Sequence, residues 1–188
     1  MKKNIYYSLL ISAMVSVSVA EETRQVDKHE HGVGELNIAI EGNAIDFEFF
    51  IPGADIVGFE YEAKTESDIA LVNAALEKFG NFDNIFSLPE SSNCNLVNSE
   101  IGVNQDDDHD DHDEHVEHDD HNEEAHNEFV AHYSFNCENI KEIDRISFPY
   151  FTNFPNSGEL EVQFVSEKGS TGFEVEGDEP FIDLKGKI

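Results

Sequence analysis

Tryptophan is absent, cysteine occurs only twice, and Lys and Arg together number 11 against 41 Asp and Glu. Each shortage closes off a class of protein. The formal net charge of −30 at pH 7 argues against DNA, RNA or an anionic membrane as a partner, since each would be repelled. The same charge favours cations. No CxxC pair is present, so thiolate ligation of a metal is less favoured than a disulfide between Cys94 and Cys137, the usual outcome for an isolated pair in an oxidising compartment. Such a bond would close a loop of roughly 42 residues and restrict the unfolded chain by ~3–4 kcal/mol. HExxH, a catalytic-triad signature and a nucleophile elbow are all missing, and the expectation is a protein that is not an enzyme. Past the first twenty residues no apolar run approaches the length of a bilayer span, so no membrane insertion is expected.

Those first twenty residues read as a secretory signal. Lys2 and Lys3 give a basic start, Ile5 to Val19 form an apolar stretch, and Ser18-Val19-Ala20 supplies the small residues at which a signal peptidase cuts. The expected organisation is a signal peptide over 1–20 and a single periplasmic domain over 21–188. Its core would be built on Phe, Ile, Leu and Val, Phe being plentiful.

Leu36, Ile38 and Ile40 alternate with Glu35, Asn37 and Glu41; after Gly42-Asn43, Ile45, Phe47 and Phe49 alternate with Asp46, Glu48 and Phe50. Two period-two runs around a Gly-Asn loop predict a β-hairpin. Pro52-Gly53 is expected to end its second strand. Thr65, Ser67 and Asp68 mark a helix start, and Ile69, Val72, Leu76 and Phe79 recur at helical spacing until Gly80. That helix should cover the core. Asn81 to Ser92 reads as loop. Strand character returns over Cys94–Val103, Phe129–Cys137, Glu159–Val165, Gly172–Glu176 and Phe181–Leu184, with turns at Lys168-Gly169 and Gly177-Asp178. The expected class is α+β: mainly antiparallel β-sheet with one prominent helix and a disordered insertion rich in His, Asp and Glu.

The insertion, residues 105–128, breaks the composition. Thirteen of its residues are Asp or Glu and six are His, with almost nothing apolar. It cannot bury enough surface to offset its ordering entropy and should be disordered without metal. Since it lies between two strands whose far ends the disulfide would pin, it is an insertion and not a tail. His109, His112, His115, His118 and His121 recur every third residue, and His126 follows. Neutral imidazole is a strong zinc ligand, and carboxylates can complete a tetrahedral shell. In an extended chain a three-residue step covers about 9 Å, too far for neighbouring imidazoles to share an ion. In a helical turn the same step rises only ~4.5 Å, and an i, i+3 pair can converge. Five steps drift around such a helix, so several overlapping, exchangeable sites are expected. Binding should be coupled to local ordering, because metal relieves the tract's self-repulsion, and protons should compete for the imidazoles. A solvated acidic linker with incidental histidines is the plain alternative, and the strict period argues against it. Imidazole suits copper and nickel as well as zinc.

A smaller cluster, His29-Glu30-His31-Gly32, precedes the first strand. Two His at i, i+2 project to one side of an extended chain and can chelate together. A third ligand could come from His126 or His132 if the first strand and the strand before Cys137 are neighbours. An ordinary polar N-terminus is an equal alternative. His132 should face away from the side shared by Ala131 and Tyr133 and reads as a surface residue.

The order of these features resembles the zinc-regulated periplasmic proteins of the ZrgA type. The resemblance rests on His29-Glu30-His31-Gly32 leading into Glu35–Gly42, on Pro52-Gly53-Ala54-Asp55-Ile56-Val57-Gly58-Phe59-Glu60, on Cys94 and Cys137, and on the insert between them. It spans essentially the whole mature chain. It implies a periplasmic protein that binds Zn2+ and contributes to zinc acquisition, as a scavenger, a buffer or a delivery partner for the zinc-binding subunit of an importer. The implied ligands are drawn from His109, His112, His115, His118, His121 and His126, with His29 and His31 as an ordered site. The chain departs from the family pattern at Tyr61, where such proteins tend to have His. A metal- or pH-responsive interaction module, or a binder of copper or nickel, is the rival expectation.

Overall fold

The hairpin forms where the alternation places it. β1 (Val33–Glu41) and β2 (Ala44–Pro52) pair antiparallel, with Leu36 opposite Phe49 and Ile38 opposite Phe47. All four side chains are buried. Gly42 turns the chain at φ 59°, a left-handed conformation that a residue without Cβ adopts freely. The computed structural model describes residues 32–105 and 127–188. The expected signal peptide, the eight candidate histidine ligands and the body of the insert lie outside the described residues.

Pro52-Gly53 does more than stop β2. Gly53–Val57 forms the short helix α1, and a looser stretch leads to α2 (Glu66–Phe79). Thr65 caps α2 as its sequence implies, its side-chain oxygen accepting the Asp68 N–H at 3.1 Å. The C-terminal half of α2 docks on the core through Ala75 and Phe79, helped by Val72 and Leu76. Ile69, placed by its spacing on that face, is instead 45% exposed, because only the later turns meet the sheet. The expected loop 81–92 contains two 3₁₀ turns, Phe82–Asn84 and Glu90–Ser92, and sends Ile85 and Phe86 into the core.

β3 (Cys94–Gln105) and β4 (Asn127–Cys137) form the long hairpin that carries the insert. β5 (Arg145–Ser147), α3 (Tyr150–Asn153), β6 (Glu159–Ser166), β7 (Gly169–Glu176) and β8 (Phe181–Asp183) follow. β5 was not anticipated; it pairs with β8 in a separate two-stranded sheet. The main sheet has the order β3-β4-β2-β1-β6-β7.

The pairing is mainly antiparallel, as expected, with one exception. β6 lies parallel to β1, Leu36 opposite Val162, so the sheet is mixed. The reason is the path after β4. From Cys137 the chain crosses the covered face of the sheet, burying Ile140, Ile143, Ile146, Phe148, Tyr150 and Phe154 on the way. It therefore enters β6 at the end where β1 begins, and such a crossover yields a parallel pair. The fold remains α+β and chiefly β, with one long helix among the described residues.

The core lies between the sheet's inner face and this covering layer. Phe47 stacks on Phe86 with ring centroids 4.0 Å apart, and Phe79 on Phe154 at 5.0 Å. Tyr133, fully buried on β4, donates its hydroxyl to the carbonyl of Phe79 at 2.6 Å and so ties α2 to the sheet. Among the described residues no element covers the outer face, whose outward positions include Glu35, Glu48, Glu100, Glu161 and Glu174.

Candidate metal-binding end of the sheet

The acidic insert has a fixed root. Gln105 closes β3 and pairs with Asn127, which opens β4; Asn104 pairs with Glu128. The expected limits 105–128 are therefore too wide, since Gln105, Asn127 and Glu128 belong to the strands, and the insert is 106–126. Their backbones are drawn into the ladder by Val103 and Phe129, the apolar pair one row further in.

Asn127 is the best anchored residue at this root. It is buried, its backbone N–H donates to the Glu60 carbonyl at 2.8 Å, and its side-chain Nδ2 donates to the Tyr61 carbonyl at 3.1 Å. Gly53 makes room for it: a Cβ there would stand 1.6 Å from Asn127 Oδ1 and 2.7 Å from the Phe59 carbonyl. Tyr61, the departure from the family pattern, thus lies beside the insert's root, with its ring exposed and stacked on Phe59 at 4.6 Å.

A second anchor fixes the start of the described chain. Gly32, at φ 89°, donates its N–H to Asp55 Oδ1 at 2.9 Å, and its carbonyl accepts from Gly158 at 2.9 Å and Glu159 at 2.8 Å. Gly158 permits this approach, since its own Cβ would meet the Gly32 carbonyl at 2.9 Å. Asp55 is itself buried. Nearby, Tyr150 and Ser157 share a 2.7 Å hydrogen bond, and burial, reinforced by the charge of Asp55 and opposed by the Ser157 bond, pushes the Tyr150 phenol well above its ordinary pKa. A hydrogen-bonded floor thus underlies this end of the sheet.

The two anchors lie at the same end. β1 and β4 are each antiparallel to β2, so they run in one direction, and Val33 and Asn127 begin them at a common edge. β2 lies between them, so at the usual strand spacing their axes are about 10 Å apart. This corrects the condition under which His126 or His132 would join His29 and His31: β1 and β4 are not neighbours. The attachment points of the 29–31 segment and of the insert nevertheless stand on one edge, beside Asp55 and Glu60. The disulfide, formed between Cys94 and Cys137 as expected, closes the opposite end of the same hairpin.

Of the nine histidines only His132 is described. It faces outward between buried Ala131 and Tyr133, as its parity requires, with its Nε2 3.7 Å from Asp46 Oδ1. Among the described residues no group of three or more His, Cys, Asp or Glu is already arranged to hold a metal ion. None of the described helices is long and apolar enough to cross a membrane. The root itself is not legible in any local pattern, because Gly32, Gly53, Asp55 and Asn127 act through contacts distant in sequence; the family resemblance carried the signal, through Gly32 and the Pro52–Glu60 segment.

Comparison with curated proteins finds no match. A family model for ZrgA family zinc uptake proteins matches residues 28–184, from just before His29, across the insert, to the end of the last strand. With both anchors, the insert and the disulfide-closed hairpin inside that match, the chain belongs to the ZrgA family of zinc uptake proteins.

Proposed function

We propose that this protein captures Zn2+ in the periplasm with the insert 106–126 and passes it on by ligand exchange, performing no catalysis itself. The ligands are drawn from His109, His112, His115, His118, His121 and His126, with carboxylates filling the remaining positions, and His29 and His31 add donors at the same edge. The supporting observation is a shared edge: Gly32 and Asn127, the described residues next in sequence to the two histidine segments, stand at one end of the sheet, about 10 Å apart by strand spacing. Zinc is the cargo. A polydentate, acidic tract suits transfer, because ligands can be exchanged one at a time without dismantling a rigid cage.

The disulfide and the signal-like first twenty residues support an oxidising compartment outside the cytoplasm. A zinc-binding subunit of an importer is the partner this reading names. Protonation of the imidazoles competes with metal, so uptake should weaken as pH falls through the histidine range.

Isothermal titration of the mature protein with zinc, copper and nickel tests the reading, alongside a variant in which Asn-Gly replaces 106–126. Because Gln105 and Asn127 are already paired, a two-residue turn can close the hairpin. The expected result is loss of most of the zinc stoichiometry with the fold retained. Unchanged stoichiometry in the variant removes the insert from the function, and a clear preference for copper or nickel replaces zinc as the cargo.

A further inference from the structure

The two edges of the main sheet are finished differently. β7 closes one side, and segment 185–188 lies against it. Lys187 stands over the Phe173 ring at 5.5 Å, with its Nζ 3.5 Å from Thr171 Oγ1, and its carbonyl accepts the Ser166 hydroxyl at 2.6 Å. Lys168, in the turn before β7, donates to the carbonyls of Gly186 and Ile188. Lysines and a covering segment are common means of keeping an edge strand from pairing with another chain. β3 closes the other side and has neither. Its twelve residues, Cys94–Gln105, contain no Lys, Arg or Pro and a single charge, Glu100. Among the described residues only β4 pairs with β3, and no backbone group meets its outer edge.

Only part of that edge is regular enough to pair. Leu96 stands opposite Phe135 and Asn98 opposite Ser134, so Val97 is an extra residue that bends the strand. From Asn98 to Gln105 the register is unbroken. Ser99, Ile101, Val103 and Gln105 stand opposite buried residues of β4 and share the inner face, while Asn98, Glu100, Gly102 and Asn104 share the outer one. Ile101 and Val103 pack on the core but are only partly buried. Gly102 crowds nothing, since a Cβ there meets no atom within 4 Å. A glycine inside a strand often marks a place where another backbone comes close.

We propose that two copies of this chain pair through β3, antiparallel across a two-fold axis at Gly102, so that their main sheets become continuous. Such a contact is isologous and closes on itself. The axis sets Ile101 opposite the second copy's Val103, and Glu100 opposite the second copy's Asn104. Apolar side chains then meet apolar ones, and no carboxylates are opposed. An axis at Glu100 would oppose two carboxylates, and one at Ile101 or Val103 would set an apolar side chain against Ser99 or Gln105. A single strand pair is a small interface, so the dimer is weak and reversible. The formal net charge of −30 repels the second copy at long range. Since β3 brings only one charge per copy to the contact, that repulsion comes from the rest of the molecule, and salt screens it. Dimerisation therefore strengthens with ionic strength, the reverse of what a basic partner on this edge would show. The pairing does not depend on the zinc-capture reading.

The test is analytical ultracentrifugation of the mature protein at low ionic strength and at about 1 M salt, where the screening length falls to about 3 Å. The expected result is a monomer at low salt and a reversible dimer at high salt. At high salt Gly102→Cys should crosslink to itself, because directly opposed residues hold their Cα atoms about 5 Å apart, within disulfide range. Glu174→Cys, an outward position on β7, should not. Asn104→Glu, which faces Glu100 in the dimer, should raise the dissociation constant about fivefold at high salt. A protein that stays monomeric at every concentration and salt overturns the pairing. Equal crosslinking of Gly102→Cys and Glu174→Cys, or a dimer that Asn104→Glu leaves unchanged, also overturns it by placing the contact elsewhere.

Discussion

Cys94 and Cys137 close one end of the β3–β4 ladder, and Gln105 and Asn127 close the other, with the acidic insert beyond them. The two ends are separated by the length of the twelve-residue strand β3, about 35 Å at strand rise. The crosslink is therefore a staple on the scaffold, remote from the edge where the insert attaches. It holds the outermost pair of an edge strand that would otherwise fray from the sheet.

Replacing both cysteines by serine is expected to lower stability by ~3–4 kcal/mol, from the loop-closure entropy returned to the unfolded chain. Zinc stoichiometry should be unchanged. Urea denaturation and isothermal titration on the same variant check the two halves; a loss of bound zinc at full folding would place the disulfide in the metal site.

Gly53 is the position where a single methyl group should disturb the root of the insert. Gly53→Ala drives Cβ to within 1.6 Å of Asn127 Oδ1, and the forced shift is expected to cost about 1–3 kcal/mol. Faster hydrogen exchange at the Asn127 amide, now bonded to Glu60, is the local signature. Gly102→Ala serves as the control, because nothing lies within 4 Å of its added Cβ.

The buried tyrosines set an alkaline limit. Burial pushes the phenols of both Tyr133 and Tyr150 well above their ordinary value. In the unfolded chain they ionise near pH 10, while the folded protein keeps both protons. Their contribution is thus fully present below about pH 10 and is lost as pH rises beyond it, at up to about 1.4 kcal/mol per pH unit for each tyrosine. Tyr133→Phe should remove part of that slope in urea titrations at high pH. At neutral pH it should cost about 1 kcal/mol by stranding the Phe79 carbonyl.

Thr65→Ala tests how far α2 depends on its cap. Loss of the bond to the Asp68 N–H is expected to cost about 1 kcal/mol. Because the first turns of α2 are exposed, the effect should appear as increased exchange of amides near 66–69, with the Phe79 end undisturbed.

Local patterns in the chain carried a large part of this architecture. The β1–β2 hairpin, the Thr65 cap, the outward parity of His132 and the pairing of Cys94 with Cys137 all depend on contacts a few residues long or on chemistry with one available partner. So did the insert, whose composition alone marks it off, although its limits shrank by three residues once Gln105, Asn127 and Glu128 were found in the ladder. Segment 81–92 is a loop, as its composition implies, but the burial of Ile85 and Phe86 was not legible, because residues far away in sequence bury them and an isolated apolar pair has no period to betray it.

Sequence by itself determined the kind of chemistry available: imidazoles among carboxylates between the two cysteines, and a large excess of negative over positive charge along the chain. Tertiary structure decided where that chemistry is delivered. The parallel β1–β6 pair, the shared edge of Gly32 and Asn127, and the place of β3 at one end of the sheet all follow from strand order and register. Those are properties of long-range pairing, fixed by which buried faces fit together, and no local periodicity encodes them.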